Sequence, residues 1–226
     1  MYVCLQVVTV TLKKFVCELS HNCPENCTCI KRPSNLSLSV SCPPGTCRYL
    51  PEVLPDPNDP PPRIGNLYLN FSASNIRTLE FRPYLMKTKC IDVSKSKLHS
   101  IPDNVWRTLS NMDHVDLSRN QLTVLPTFLG SENITFRWLA LHDNPLRCTC
   151  EDKWIRGWLQ SLDQGLFIPQ YQQPPAMCGS PDKLQNRNIL YLNDYDFCRN
   201  LNDQKNSNDE PARHISEVSE TFAKNL

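Results

Sequence analysis

Glycine is scarce in this 226-residue chain, six residues against nineteen prolines, and charge is nearly balanced, with 24 basic and 23 acidic residues leaving +1. The balance gives no electrostatic reason to expect nucleic acid or an anionic membrane as partner. No stretch reaches the roughly 18 apolar residues of a membrane span. The opening run MYVCLQVVTVTLKKF has no basic residues ahead of it and lysines after it, which makes a poor signal peptide. There is no phosphate-cradling glycine loop, no Gly-x-Ser-x-Gly and no His-Glu-x-x-His. The histidines (His21, His99, His114, His142, His214) show no nucleophile partner pattern. The chain is therefore expected to be no enzyme and to need no cofactor. The prolines point to extended, turn-rich connections rather than a helical bundle.

Cysteine is what the chain has in excess. Of twelve, Cys17, Cys23, Cys27, Cys29, Cys42 and Cys47 crowd the start, Cys148, Cys150, Cys178 and Cys198 the end, and Cys4 and Cys90 stand apart. Such end clusters read as local disulfide staples in an oxidising compartment, or as metal ligands in a reducing one. The two Cys-x-Cys pairs lack the Cys-x2-Cys spacing and spaced histidines of common zinc sites, so disulfides are favoured and no metal is expected. Sequons at Asn35, Asn70 and Asn133, with a poorer one at Asn26, agree with a secretory glycoprotein.

Self-alignment gives the architecture. Met112, Val115, Leu117, Asn120 and Leu122 recur 24 residues later as Phe136, Leu139, Leu141, Asn144 and Leu146. Stepping back by the same interval finds Ile91, Val93, Ser96 and Leu98, then Leu67 and Leu69. This is the leucine-rich-repeat pattern, L-x-x-L-x-L-x-x-N-x-L. The expected fold is α/β: a short solenoid of about four units over 63–146, with parallel strands on a concave face and capped ends, since one unit cannot bury its apolar face alone. Ser96 replaces the asparagine in one unit, and in the first the Asn75-Ile76 pair sits late, which predicts a bulged turn. Trp154, Ile155, Trp158, Leu159 and Leu162 recur at helical spacing and predict a helix packing its tryptophans on the last repeat.

The segments Cys23-Pro-Glu-Asn-Cys27-Thr-Cys29 with Cys42, and Asn144-Pro-Leu-Arg-Cys148-Thr-Cys150 with Cys178 and Cys198, resemble the flanking caps of extracellular leucine-rich-repeat proteins. Spacing leaves the pairings open. The resemblance implies Cys23–Cys29, Cys27–Cys42, Cys148–Cys178 and Cys150–Cys198, in caps at 23–62 and 147–198. Residues 7–17 look like the end of another such cap, similar in form to Ile189-Leu-Tyr-Leu-Asn-Asp-Tyr-Asp-Phe-Cys198, which makes 1–22 a remnant. A cap ending, a new cap, a few repeats and a second cap, with the wording Trp154-Ile-Arg-Gly-Trp-Leu and Cys178-Gly-Ser-Pro, resemble over 7–198 the membrane-proximal ectodomain of invertebrate Toll-like receptors. That family continues into a membrane helix and a cytoplasmic signalling domain, whereas 199–226 are polar and expected to be disordered. The resemblance implies a cell-surface piece of a longer receptor, or a shortened secreted form.

Outward strand positions would line the concave face as Asn66, Tyr68 and Asn70; Cys90, Asp92 and Ser94; His114, Asp116 and Ser118; Trp138, Ala140 and His142. Tyr68, Asp92, His114, Asp116, Trp138 and His142 are the candidates for binding a protein ligand or a second receptor copy, against the alternative of a solvated face with no ligand. Asp92, Asp116 and His114 lack the loop and ligand spacing of a metal site. Cys47 and Cys90 are expected to bridge the first cap to the second strand, and Cys17 and Cys4 to have lost partners in a preceding cap, leaving thiols able to drive a homodimer. A secreted adhesion or matrix protein, a soluble decoy, and an intracellular zinc protein are the competing readings.

Overall fold

The computed structural model describes residues 23–32, 37–55, 65–165 and 174–198. Its main sheet has six strands in chain order: β1 (Thr28–Arg32), β2 (Ser37–Ser41), β3 (Asn66–Asn70), β4 (Thr88–Asp92), β5 (His114–Asp116) and β6 (Leu139–Ala140). β1 and β2 are antiparallel and every later pair is parallel. Alternation explains the packing: Leu69, Ile91 and Val115 turn inward and are buried, while Tyr68, His114 and Asp116 turn outward. The chain returns behind the sheet through a 3-10 turn (Pro83–Lys87), α1 (Asp103–Leu109) and α2 (Phe128–Ser131), which bury Leu85, Val105, Trp106, Leu109 and Leu129 against the strand leucines.

The first unit departs from the 24-residue step. Leu69, not Leu67, pairs with Ile91, 22 residues on, whereas Ile91 pairs with Val115 at the full 24. The first unit therefore runs Leu69-Asn-Phe-Ser-Ala-Ser74-Asn-Ile76, in register with Ile91-Asp-Val-Ser-Lys-Ser96-Lys-Leu98. The turn at Asn75-Ile76 is not bulged; Ser74 holds the position that Asn120 and Asn144 hold later. Leu67 pairs with Leu38 of the cap strand on one side and with Thr88 of β4 on the other, and the register shifts between it and Tyr68.

Each unit then turns through one left-handed residue: Ala73, Lys95, Arg119 and Asp143 have φ of 55°, 55°, 56° and 56°. A residue with a Cβ resists this conformation by about 1–2 kcal/mol. Hydrogen bonds between units hold it, because Ala73 N donates to Ser94 O (2.7 Å), Lys95 N to Ser118 O (3.0 Å) and Arg119 N to His142 O (2.9 Å). The next residue completes the turn. Asn120 Oδ1 accepts from Leu98 N, and its Nδ2 donates to Val93 O, Leu117 O and Ser118 O. Asn144 likewise joins Leu122 N to Leu117 O and Leu141 O. Ser96 is too short for this reach: its hydroxyl accepts from Ser74 N at 3.1 Å and meets Ser94 O at 3.4 Å. Ser74 Oγ is buried and has no hydrogen-bond partner.

Disulfides close both ends: Cys23–Cys29 and Cys27–Cys42 in the first cap, Cys148–Cys178 and Cys150–Cys198 in the second. The first cap extends the sheet itself, with Leu38 and Val40 buried over Leu67 and Leu69. Behind it Tyr84 donates its hydroxyl to Pro51 O at 2.8 Å. The second cap sets β7 (Leu146–Arg147) parallel to β8 (Cys178–Ser180) and lays α3 (Trp154–Gly165) across the last unit. Trp158 donates its indole N–H to Ile134 O at 2.7 Å. Its ring meets Phe136 edge-on, and Phe136 meets Trp106 the same way, a relay of aromatics from α3 to α1. Trp154 lies so close over Gly130 that a Cβ there would stand 2.6 Å from its ring.

Asp152 locks the entry to α3. Arg147 donates to both of its carboxylate oxygens (2.9 and 3.1 Å), and the Thr149 hydroxyl and N–H donate to Oδ2. Burial raises the Asp152 pKa, but these bonds outweigh it and hold the carboxyl below its usual range.

Two outcomes follow from these contacts. Asn120→Ala strands Leu98 N and Val93 O, while Leu117 O and Ser118 O keep their bonds from Asn144 and Lys95, and should lower stability by about 3 kcal/mol, read as a lower urea midpoint at unchanged slope. Because the folded pKa of Asp152 is the lower one, its stabilisation is complete above the unfolded-state value of about 3.9 and lost as pH falls through the folded value. Asp152→Asn should therefore be less stable at pH 6, and lose less of its melting temperature than the parent chain as pH falls from 5 to 2.

Candidate functional site

Pairing across the sheet defines the concave columns. One runs Ser39, Tyr68, Cys90, His114 and, in the step before β6, Trp138; the next runs Ser41, Asn70, Asp92, Asp116 and Ala140. The two-residue shift at the first unit moves Tyr68 opposite Cys90 and Asn70 opposite Asp92, so Asn66 falls outside the row assigned to it by the 24-residue step. The cap strand adds Ser39 and Ser41, which were not anticipated on this face. The alternation Ser37-Leu-Ser-Val-Ser41 carries the signal for them.

The six candidates do not share one fate. Asp92 is a correction: it is only 9% exposed, and its Oδ1 accepts from Ser94 N at 2.9 Å. Burial raises its pKa against the opposing Ser94 hydrogen bonds. Asp92 thus holds the turn and shows little surface to a partner. Asp116 repeats the bond with Ser118 N and stays half-buried, and Asn70 repeats it with Ser72 N.

His114 and Trp138 are brought together. Their rings stack at 3.5 Å between centroids and 11° between planes, on neighbouring units. Burial lowers the His114 pKa to about 4, with Asp116 opposing the shift. At neutral pH the pair is an uncharged, half-buried aromatic plate flanked by Asp116. His142 lies half-buried four residues beyond Trp138 in its unit, with Nδ1 buried and without a hydrogen-bond partner among the described residues. Ion pairs Arg137–Asp113 (2.9 Å) and Arg119–Asp143 (3.2 Å) join the same two units before and after the strands. All four side chains are exposed, so these pairs orient the units more than they stabilise them.

Cys47 and Cys90 are not bridged to each other, which corrects the expected link between cap and second strand. Cys90 is buried in the concave column between Tyr68 and His114, outside the main core cluster. Cys47 sits past the cap strand, its carbonyl accepting from Asn75 N on the turn side of the first unit. Of the sequons, Asn133 is exposed in a left-handed turn after α2, and Asn70 ends β3 with Oδ1 held by both the N–H and hydroxyl of Ser72. Asn35, Cys4 and Cys17 lie outside the described residues. So do 1–22 and 199–226, with the remnant cap and the tail expected there.

Proton resonances of the His114 ring should stay unshifted from pH 8 to about 5.5 and titrate near 4, well below the value of about 6.5 for an open imidazole. Stability gains from this group as pH rises between those two values, since the unfolded chain binds the proton more tightly. A midpoint above 6 would contradict the buried stack.

No family model matches the chain. Human chondroadherin is 26% identical over 107 residues, 47% of this chain and 27% of that protein. Mouse SLIT and NTRK-like protein 4 is 28% identical over 99 residues, 43% of this chain and 11% of that protein. The chain thus spans well under a third of either relative. Among solved structures, a chain of the Drosophila Toll–Spatzle complex superposes with a TM-score of 0.62 over 78% of this chain and 22% of that one, at 23% identity, a likeness of fold. With four disulfides, a repeating parallel sheet and these relatives, the chain is an extracellular leucine-rich-repeat protein, a short solenoid closed at each end by a cysteine-rich cap.

Proposed function

We propose that the concave face around the His114–Trp138 stack is a protein-binding surface, and that the chain serves as an interaction module in the ectodomain of a Toll-like receptor. The observation that carries the reading is the stack itself. An uncharged aromatic plate, beside the half-buried Asp116 and bordered by fixed ion pairs, has the composition of an interface anchor: a large apolar contact with polar groups around it. Neutral at physiological pH, His114 sheds no ionic hydration when covered, which lowers the desolvation penalty of docking. The Toll chain of similar fold was solved in a complex with Spatzle, a precedent for a protein ligand. A secreted adhesion or matrix protein is the second reading, favoured by the sequence likeness to chondroadherin. Both readings use the same face. Asn70 and Asn133 are proposed glycan carriers; a glycan on Asn70 would stand in the second column and partly obstruct the face, while one on Asn133 stands behind the sheet, after α2.

A display library of secreted and cell-surface ectodomains, with Spatzle included, would test this against the purified chain. Binders should weaken about 30-fold or more on Trp138→Ala, the loss typical of a central aromatic anchor, and should be indifferent to Met86→Ala behind the sheet. Binders unaffected by Trp138→Ala, or a library without any binder, would remove the proposal.

A further inference from the structure

The sulfurs of Cys27, Cys42 and Cys47 all lie within 4.8 Å of one another. Cys27 and Cys42 are joined, and Cys47 keeps its thiol. That thiol is held in place. Asn75 N donates to Cys47 O at 2.8 Å, Gly45 N to Ala73 O at 2.9 Å, and Asn75 Nδ2 to Gly45 O at 3.3 Å, so the 45–47 segment is pinned to the first repeat. The Thr46 hydroxyl stands 3.7 Å from Cys47 Sγ. Cys47, itself half-buried, also lines an open cleft of about 530 Å³ with Pro24, Arg48, Glu80 and Arg82. Two of the three sulfurs are bonded to each other, so the cluster has one thiolate to offer a metal, not three. What the arrangement does place together is a nucleophile and an electrophile of the same reaction.

We propose that Cys27, Cys42 and Cys47 form a thiol–disulfide exchange centre in the amino-terminal cap. Deprotonated Cys47 Sγ attacks Cys42 Sγ; the Cys42–Cys47 bond forms, the Cys27–Cys42 bond breaks, and its electron pair leaves on Cys27 Sγ, which takes up a proton. One disulfide and one thiol enter and leave, so no oxidant or reductant is consumed. Cys27 is the leaving sulfur because it is half-buried, whereas Cys42 is 4% exposed and a thiolate there would be stripped of water. The exchange moves the staple. In one form it ties the loop before β1 to the end of β2; in the other it lies wholly within 42–47, and the cap presents a thiol on Cys27 while Cys23–Cys29 remains closed.

Disulfide mapping of the whole chain tests this, because trypsin leaves Cys27 and Cys42 on separate peptides but Cys42 and Cys47 on one. After incubation at pH 8.5, acid quenching and alkylation, a tenth or more of the molecules should yield unlinked peptides with the label on Cys27. After incubation at pH 5 the peptides should stay linked with the label on Cys47, since exchange needs the thiolate. Cys47→Ser should abolish the unlinked form. In Cys27→Ser, Cys42 and Cys47 should pair with each other while the far-ultraviolet dichroism stays that of the parent. Peptides that remain linked, with Cys47 alone labelled after a day at pH 8.5, overturn the proposal, and this reading needs no variant to fold. A folded Cys27→Ser chain that labels on both Cys42 and Cys47 overturns it equally.

Discussion

A repeat that turns away from its strand leaves backbone groups pointing into the interior, and no residue of the same unit satisfies them all. The structure depends on the answer to that constraint: one side chain per unit bonds backwards into its neighbour. Asn144 and Asn120 do this with both ends of an amide, reaching the preceding unit and their own turn at once. The ladder shortens toward the first cap, where Ser96 makes one weaker link and Ser74 none. The same inter-unit bonding steadies the left-handed residue of the first three turns, Ala73, Lys95 and Arg119, in a chain that spends none of its few glycines on those positions. Stacking is thus the condition for each turn to exist, as well as the source of the core.

The caps meet this constraint where the neighbours run out. At the weaker end of the ladder the cap continues the sheet, so β2 bonds β3 as another repeat would, and two disulfides close over it. At the stronger end the cap is a helix, and its purchase comes from shape: Trp158 in the Phe136–Trp106 relay and Trp154 against Gly130. A polar knot of Arg147, Thr149 and Asp152 fixes where that helix begins.

Because inward and outward residues alternate, whatever sets the core also sets the face. The register that buries Ile91 and Val115 aligns Cys90 with His114, and the loss of a turn-holding carboxylate at Ala140 coincides with the unit that supplies Trp138. Asn70, Asp92 and Asp116 show how an outward position can still be internal business, since each spends an oxygen on the backbone two residues ahead. Under the proposed function, the stacked aromatic pair is what the face keeps for an outside partner.

Much of this was legible from the chain alone. The fivefold match between Met112–Leu122 and Phe136–Leu146 determines a leucine-rich solenoid, because apolar side chains at that spacing have no other way to be buried together. The helical spacing of Trp154, Ile155, Trp158 and Leu162 likewise determines a cap helix with its tryptophans inward. The length of the first unit was not legible, since Leu67 and Leu69 fit a 24-residue step as well as Leu69 and Phe71 fit a 22-residue one, and only pairing with Ile91 selects between them. Nor was the burial of Asp92, the stacking of His114 on Trp138, or the meeting of Cys47 with the Cys27–Cys42 bridge instead of Cys90. Sequence periodicity states which side of a strand a residue faces; how close it comes to residues of other units is settled by register and by the path of the turns, which exist only once the units have stacked.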